Sequence, residues 1–436
     1  MKRLVLIFSL IIILLAGFWV GLGVFIRSDA FRLWLGQRVS RSLEAEGSFE
    51  SLDWTGATVR SGGFKATGQP GSKISSVRLT GLTAHLDWPK LFTGQIVLDS
   101  ASAEQAEVQF LPAKAATQSK PVAPPSSKPS LRFRIHFSVQ KITIQHASLA
   151  YESRHGTKGS LTNVGILAVK TGPKAWEFTI EGGTIHSDRF PAAQLLKAQA
   201  GLSSRRLQIR DLELASPGGG TATIQGEIQL NRELSADLHA KLANISVTGL
   251  PLNKEKLDGV VTGDLTFQGA LNHFERGTIQ GDFQANQVRY DFSHYLGGLR
   301  YLTGSAPLGS ASFDSAAGHV LYSNHNFLLT NLNAAYRDTI RVLGTIEVKG
   351  DQVQGVLQVG LKPELLDYWV PGSLEAVFTE QRNGLNWTVV RLSGTVQEPK
   401  EDLSKRVLAA VEDRLGRDLK NRLKDTAKSL RDLFKH

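Results

Sequence analysis

Hydrophobic and polar positions along this chain follow three rhythms, and each predicts a different element. The first is an unbroken apolar run. Leu4 to Ile26 reads LVLIFSLIIILLAGFWVGLGVFI, with no charge inside it, Lys2 and Arg3 before it and Arg27 after it. A helix of about 20 apolar residues spans a bilayer core of ~30 Å, so the run predicts an N-terminal transmembrane signal anchor over residues 1–27. A cleaved signal peptide is the competing expectation. Its apolar region would be roughly 7–15 residues, followed by a small-residue cleavage site. This run is longer, and Ser28 and Ala30 are the small residues after it. Lys2 and Arg3 favour a cytoplasmic N-terminus, whereas Arg27, Arg32, Arg38 and Arg41 crowd the other flank. Long domains translocate largely regardless of charge, so the expected orientation keeps the N-terminus inside and the body outside.

Directly after the run, FRLWLGQRVSRSL places Phe31, Trp34, Leu35, Val39 and Leu43 near helical spacing with Arg between them. Two readings stand: a helix at the membrane–water boundary, where Trp and Arg are expected, and a short helix capping the soluble body.

The second rhythm has period two and holds from about Ser51 to Val396. Ala222, Ile224, Gly226, Ile228 and Leu230 share one face of TATIQGEIQL; Ala236, Leu238, Ala240 and Leu242 share one face of the next run. Gly263, Leu265, Phe267 and Gly269 follow, then Val342, Gly344, Ile346 and Val348, then Val353, Gly355, Leu357, Val359 and Leu361. Lys349-Gly350-Asp351, Gly218-Gly219-Gly220 and Asn383-Gly384 supply turn residues between runs. One apolar and one wet face is the mark of antiparallel sheet. TIQGEIQLN at Thr223–Asn231 echoes as TIQGDFQAN at Thr278–Asn286, and the looser apolar–x–Gly–x–apolar pattern returns at Gly344 and Gly394. Glycine in mid-strand marks a bend, a bulge or a close approach; repeated on the apolar face, it would let a sheet curl.

Two stretches interrupt the strands. AKAATQSKPVAPPSSKPS, with Pro121, Pro124, Pro125 and Pro129, predicts a linker or long surface loop over 113–130. YDFSHYLGGLRY, Tyr290–Tyr301, breaks the alternation as a short helix or lid. The third rhythm closes the chain: Leu403, Val407, Leu408, Val411, Leu415, Leu419, Leu423, Ala427, Leu430 and Phe434 recur at threes and fours, an amphipathic helix ~48 Å long with a Lys/Arg-rich polar face. Its apolar stripe either packs on the sheet or lies on an anionic membrane or across the end of a groove.

Composition changes the picture mainly by exclusion. Of 436 residues none is Cys, which removes disulfides, thiolate zinc sites and cysteine nucleophiles. The net charge of +10 suits an anionic partner, and beside a membrane anchor lipid headgroups are nearer than nucleic acid. The eleven His are scattered; His319 and His325 lie six apart with no third ligand, so both read as structural or surface residues. Walker A, Gly-x-Ser-x-Gly and Rossmann fingerprints are missing, and the acidic residues form no acid–base pair. Asn244 and Asn386 sit in glycosylation sequons, a motif common by chance. A non-enzymatic role without cofactor or metal is therefore the expectation.

Together these features resemble the AsmA-like family of TamB-related Gram-negative envelope proteins. LQIRDLELASPGGGTATIQGEIQL, Leu207–Leu230, is similar to the family's layer of strand, small-residue turn and apolar–x–Gly–x–apolar strand. FLLTNLNAAYRDTIRVLGTIEVKGDQVQGVLQVGL, Phe327–Leu361, resembles its C-terminal region, and RLSGTVQEPKEDL, Arg391–Leu403, its closing segment. The resemblance implies a mostly β chain: an N-terminal transmembrane helix, an elongated curled antiparallel sheet forming a β-groove, and a C-terminal amphipathic helix. The expected segments are the anchor at 1–27, a membrane-proximal helix and first β segment at 28–112, the Pro-rich linker at 113–130, the groove body at 131–400 and the closing helix at 401–436. It also implies a protein held in the inner membrane with its body in the periplasm, carrying phospholipid and serving outer-membrane biogenesis. Candidate groove residues are Ile224, Ile228, Leu238, Leu242, Leu265, Phe267, Ile279, Phe283, Ile346, Val348, Leu357 and Val359, with Leu4, Ile26 and Trp34 marking the anchor. The competing expectations are that these residues fill a closed core, and that the chain is an anchored assembly factor binding envelope proteins through a sheet edge.

Overall fold

The computed structural model describes residues 28–69, 71–72, 74–91, 95–110, 136–152, 158–188, 192–247, 258–290, 311–366 and 374–433. The expected anchor at 1–27, with Leu4 and Ile26, lies outside the described residues, as do the Pro-rich stretch at 113–130, all but the first residue of Tyr290–Tyr301, and Phe434. Among the described residues no helix is long and apolar enough to cross a membrane. The chain forms two compact units, Met1–Pro217 and Gly218–His436.

The first unit opens on the helix Asp29–Leu43. The Ser28 hydroxyl accepts the Phe31 N–H at 3.3 Å, Asp29 occupies the first turn and Arg41 the last. Cap and charges all match the helix dipole. The strands that follow are β1 (Ala45–Phe49), β2 (Asp53–Thr55), β3 (Thr58–Gly68), β4 (Ile74–Leu86), β5 (Gln95–Phe110), β6 (His136–Val139), β7 (Lys141–Glu152), β8 (Lys158–Gly172), β9 (Ala175–Glu181), β10 (Thr184–Ser187), β11 (Ala193–Ser203) and β12 (Arg206–Ala215). Val39 and Leu43 of the helix pack on Ala45, Phe64, Ala66 and Val77, so the helix caps this sheet. Trp34 is 37% exposed and stacks on Phe31 at 5.6 Å between ring centres. A second buried cluster joins Ala106, Ala147, Val164 and Leu195.

Two pairings correct the purely antiparallel expectation. β5 runs parallel to β6 and to β7, with Gln95 opposite His136 and Ala101 opposite Ile142. Parallel neighbours need a connection of a dozen residues or more, and residues 111–135, which include the Pro-rich stretch, supply that length. That stretch therefore connects two strands bonded to each other.

The second unit is antiparallel throughout its described pairings. It comprises β13 (Thr221–Gln229), β14 (Ser235–Ser246), β15 (Asp258–Ala270), a 3-10 helix (Leu271–Arg276), β16 (Thr278–Tyr290), β17 (Ala311–Ser323), β18 (Asn326–Tyr336), β19 (Ile340–Lys349) and β20 (Gln352–Leu361). After the short helix Pro363–Leu366 come β21 (Glu380–Arg382), β22 (Leu385–Gly394), β23 (Pro399–Glu401) and the long helix Leu403–Leu433. The expected turns join strands where they should. Asn383 and Gly384, at φ 52 and 73, connect β21 to β22, as a two-residue hairpin requires.

Leu403 and Val407 of the long helix close a core over Leu357, Val359, Leu361, Val390 and Leu392, which also takes in Leu366, Leu374 and Phe378. Glu401 Oε2 accepts the Ser404 N–H at 2.8 Å, and Arg406 Nη1 donates to Thr388 Oγ1 at 3.1 Å. Full burial of a Leu such as Leu403 is worth about 1.5–3 kcal/mol, so the first two turns of this helix are firmly seated.

Candidate functional site

The apolar face of the second unit assembles row by row from strand register. Residues opposite each other on neighbouring antiparallel strands share a face. Leu238 stands opposite Phe267, Phe267 opposite Ile279, Ile279 opposite Tyr322, Tyr322 opposite Phe327 and Phe327 opposite Val348. The adjacent row runs from Ile224 through Ala240, Leu265, Gly281, Val320 and Leu329 to Ile346. A third row sets Leu242 against Gly263, and Phe283 between Gly263 and Gly318.

Large side chains alternate with glycine across these rows, for a steric reason. A Cβ added at Gly318 would stand 2.9 Å from Leu329 Cδ1 and 3.3 Å from Phe283 Cε1. The two echoed glycines show a stronger constraint. Gly226 and Gly281 adopt φ +140 and +155, and a Cβ there would lie 2.2 Å from the Asp237 carbonyl oxygen and 2.0 Å from that of Asp264. Each lets its strand run so close to the facing carbonyl that only glycine fits.

The opposite face is polar and exposed. His239 pairs with Asp264, His319 Nδ1 lies 2.9 Å from Asp282 Oδ1, and Gln268 Nε2 donates to Asp237 Oδ2 at 3.3 Å. His319, read from sequence as a structural or surface residue, sits on this wet face, and His325 is exposed in the β17–β18 turn. At one margin of the apolar face, Phe274 of the 3-10 helix stacks on Phe267 with ring centres 4.7 Å apart. Beside it, a hydrogen bond from its own backbone N–H holds the Glu275 carboxyl below the usual carboxylate range, aided by His273.

The candidate residues divide by burial. Ile224, Ile228, Leu238, Leu242, Leu265, Ile279, Phe283 and Val348 are half-buried and belong to none of the buried clusters among the described residues. Phe267 is 8% exposed under Phe274. Ile346 is half-buried against the closed core, while Leu357 and Val359 lie inside it at 4% and 0% exposure. Val320, Tyr322, Phe327 and Leu329 share the open face but were not singled out by period. Asn331, at φ 54, forms a bulge in β18 that swaps the alternation between Leu329 and Leu332, so the segment's apolar side cannot be read by counting twos.

The first unit contains a separate cleft of about 560 Å³ at the ends of β5, β7, β8 and β10, lined by Phe110, Tyr151, Lys158, His186 and Asp188 among others. Its floor is tight, since Tyr151 lies over Gly159. Among the described residues no group of His, Asp or Glu is placed to hold a metal ion. Comparison of the chain with protein families, with curated proteins and with solved structures finds no match.

Proposed function

We propose that this chain binds phospholipid by its acyl chains along the apolar face of β13–β19, as an inner-membrane-anchored protein with a periplasmic body that contributes to outer-membrane biogenesis. The reading is of a binding and carrying protein, not an enzyme. One observation carries it: rows of apolar side chains that are sealed at β20 and β22 continue across β13–β18 with most of their large side chains only half-buried, Phe267 under Phe274 and Phe313 at the core excepted. A sheet whose wet face is already lined with His–Asp pairs has no need of a second open face. The apolar one is the surface that needs an apolar occupant. Burying each CH₂ of an acyl chain there gains ~0.8 kcal/mol. Strand spacing of about 4.8 Å gives β13–β19 roughly 29 Å of apolar breadth, about twice the ~15 Å acyl depth of one leaflet. The likeness to AsmA-like proteins supports the same reading.

Neighbouring residues on opposite faces of β16 provide the test. Phospholipid co-purifying with the full chain in mild detergent is counted by native mass spectrometry and lipid extraction. Phe283→Glu, on the apolar face, is expected to lose most of it, and Leu238→Glu likewise. Gln284→Glu, one residue away on the wet face, should retain it. Equal lipid content in Phe283→Glu and Gln284→Glu, with circular dichroism unchanged, would sink the reading and favour an anchored assembly factor.

A further inference from the structure

The long C-terminal helix has two apolar faces that cannot serve the same surface. Successive residues of an α-helix are turned by about 100°. Leu403, Val407, Ala410 and Val411, which meet the closed core, fall in a sector about 100° wide. Leu408 and Leu415 fall elsewhere, and they are 60% and 54% exposed. From Leu415 onward their sector, about 120° wide, also holds positions 419, 423, 427, 430 and 433, all Leu or Ala, with Thr426 its polar member, whereas nearer the core it is interrupted by Lys405 and Glu412. Its centre lies about 150° around the helix from the core-packing face. The helix is continuous from Leu403 to Leu433, so on the helical projection the second sector falls on a different side from the one its first turns seat on the core.

Charge identifies what the second stripe fits. From Arg414 to His436 the chain has eight Lys or Arg and three Asp. On the helical projection Arg422 borders the apolar sector on one side and Lys420, Arg431 and Lys424 on the other, while Asp418, Asp425 and Asp432 gather on the far side. An apolar sector flanked by cations is the arrangement of a helix lying in the headgroup plane of an anionic bilayer. An acidic protein groove would not call for cations on both margins with the acids turned away. We infer that the distal half of this helix docks flat on an anionic membrane surface while its proximal half stays on the core. The docking is independent of lipid carriage by the β13–β19 face.

Because the chain has no Cys, a single introduced one is a unique label. Leu419→Cys and Asn421→Cys, on opposite sides of the helix, are each made in the full chain and labelled with an environment-sensitive fluorophore. The proteins are then added to vesicles of phosphatidylcholine alone or with phosphatidylglycerol, each containing brominated lipid. The label at 419 is expected to shift blue and be quenched in anionic vesicles, with about tenfold weaker response in neutral ones; the label at 421 stays largely unquenched. Exchanging Lys420, Lys424, Lys428 and Arg431 for Gln should abolish the difference between vesicles, with the thermal transition unchanged. Leu423→Cys serves if the 419 variant fails to fold. Equal quenching at 419 and 421, or none at either, overturns the proposal. So does a blue shift at 419 that needs no lipid and grows with protein concentration, which would assign the stripe to a second copy of the chain or another protein.

Discussion

Gly281 shows how much a single position can decide. Its backbone occupies φ +155 in the middle of β16, where an added Cβ would stand 2.0 Å from the Asp264 carbonyl oxygen. Gly281→Ala is expected to destabilise the second unit by about 1–3 kcal/mol, read as a lowered urea midpoint at unchanged slope. The echo TIQGEIQLN/TIQGDFQAN made this glycine visible in the sequence as a bend or close approach. Its conformation was not visible, because φ depends on the carbonyl of the facing strand. Phe283 is the converse case. Its apolar side was legible from alternation, but its seat between Gly263 and Gly318 comes from two strands whose register no local period encodes.

At the scale of elements, period two located the strands and period three-to-four located the closing helix. What eluded the count were bulges. Asn244 and Asn331, both at φ near 55, each insert a residue that exchanges the faces of the strand beyond it. The parallel pairing of β5 with β7 was equally hidden, since a half-buried strand alternates alike whichever way its neighbour runs. The spacing of the Phe31–Leu43 segment fits both a membrane boundary and a cap; Val39 and Leu43 packing on the first core show the cap, a contact that spacing alone does not encode. The closing helix carries its own prediction. Gly416 lies within it with nothing within 4 Å of an added Cβ. Gly416→Ala should therefore raise helix stability by about 0.5–1 kcal/mol, measured as greater helicity and a higher thermal midpoint.

Over the whole molecule, closed cores and an open apolar face are separate properties, so mutations should separate them. Leu361, 0% exposed in the closed core, is expected to cost about 2–5 kcal/mol as Leu361→Ala, with lipid content unaltered in the folded fraction. Leu265→Ala, on the half-buried face, should cost about 1 kcal/mol or less of stability yet lower the bound phospholipid. Urea unfolding and lipid counting on the same preparations check both. The sequence by itself determined that the chain is mostly β with a wet and an apolar side, that glycine recurs at set places, and that a basic amphipathic helix ends it. These follow from the spacing of side chains along a backbone of known repeat. Only the tertiary structure decided which apolar residues are sealed and which stay half-exposed. That depends on where Leu403 and Val407 dock, and on bulges and glycines that match each strand to its neighbour, contacts between residues far apart in the chain.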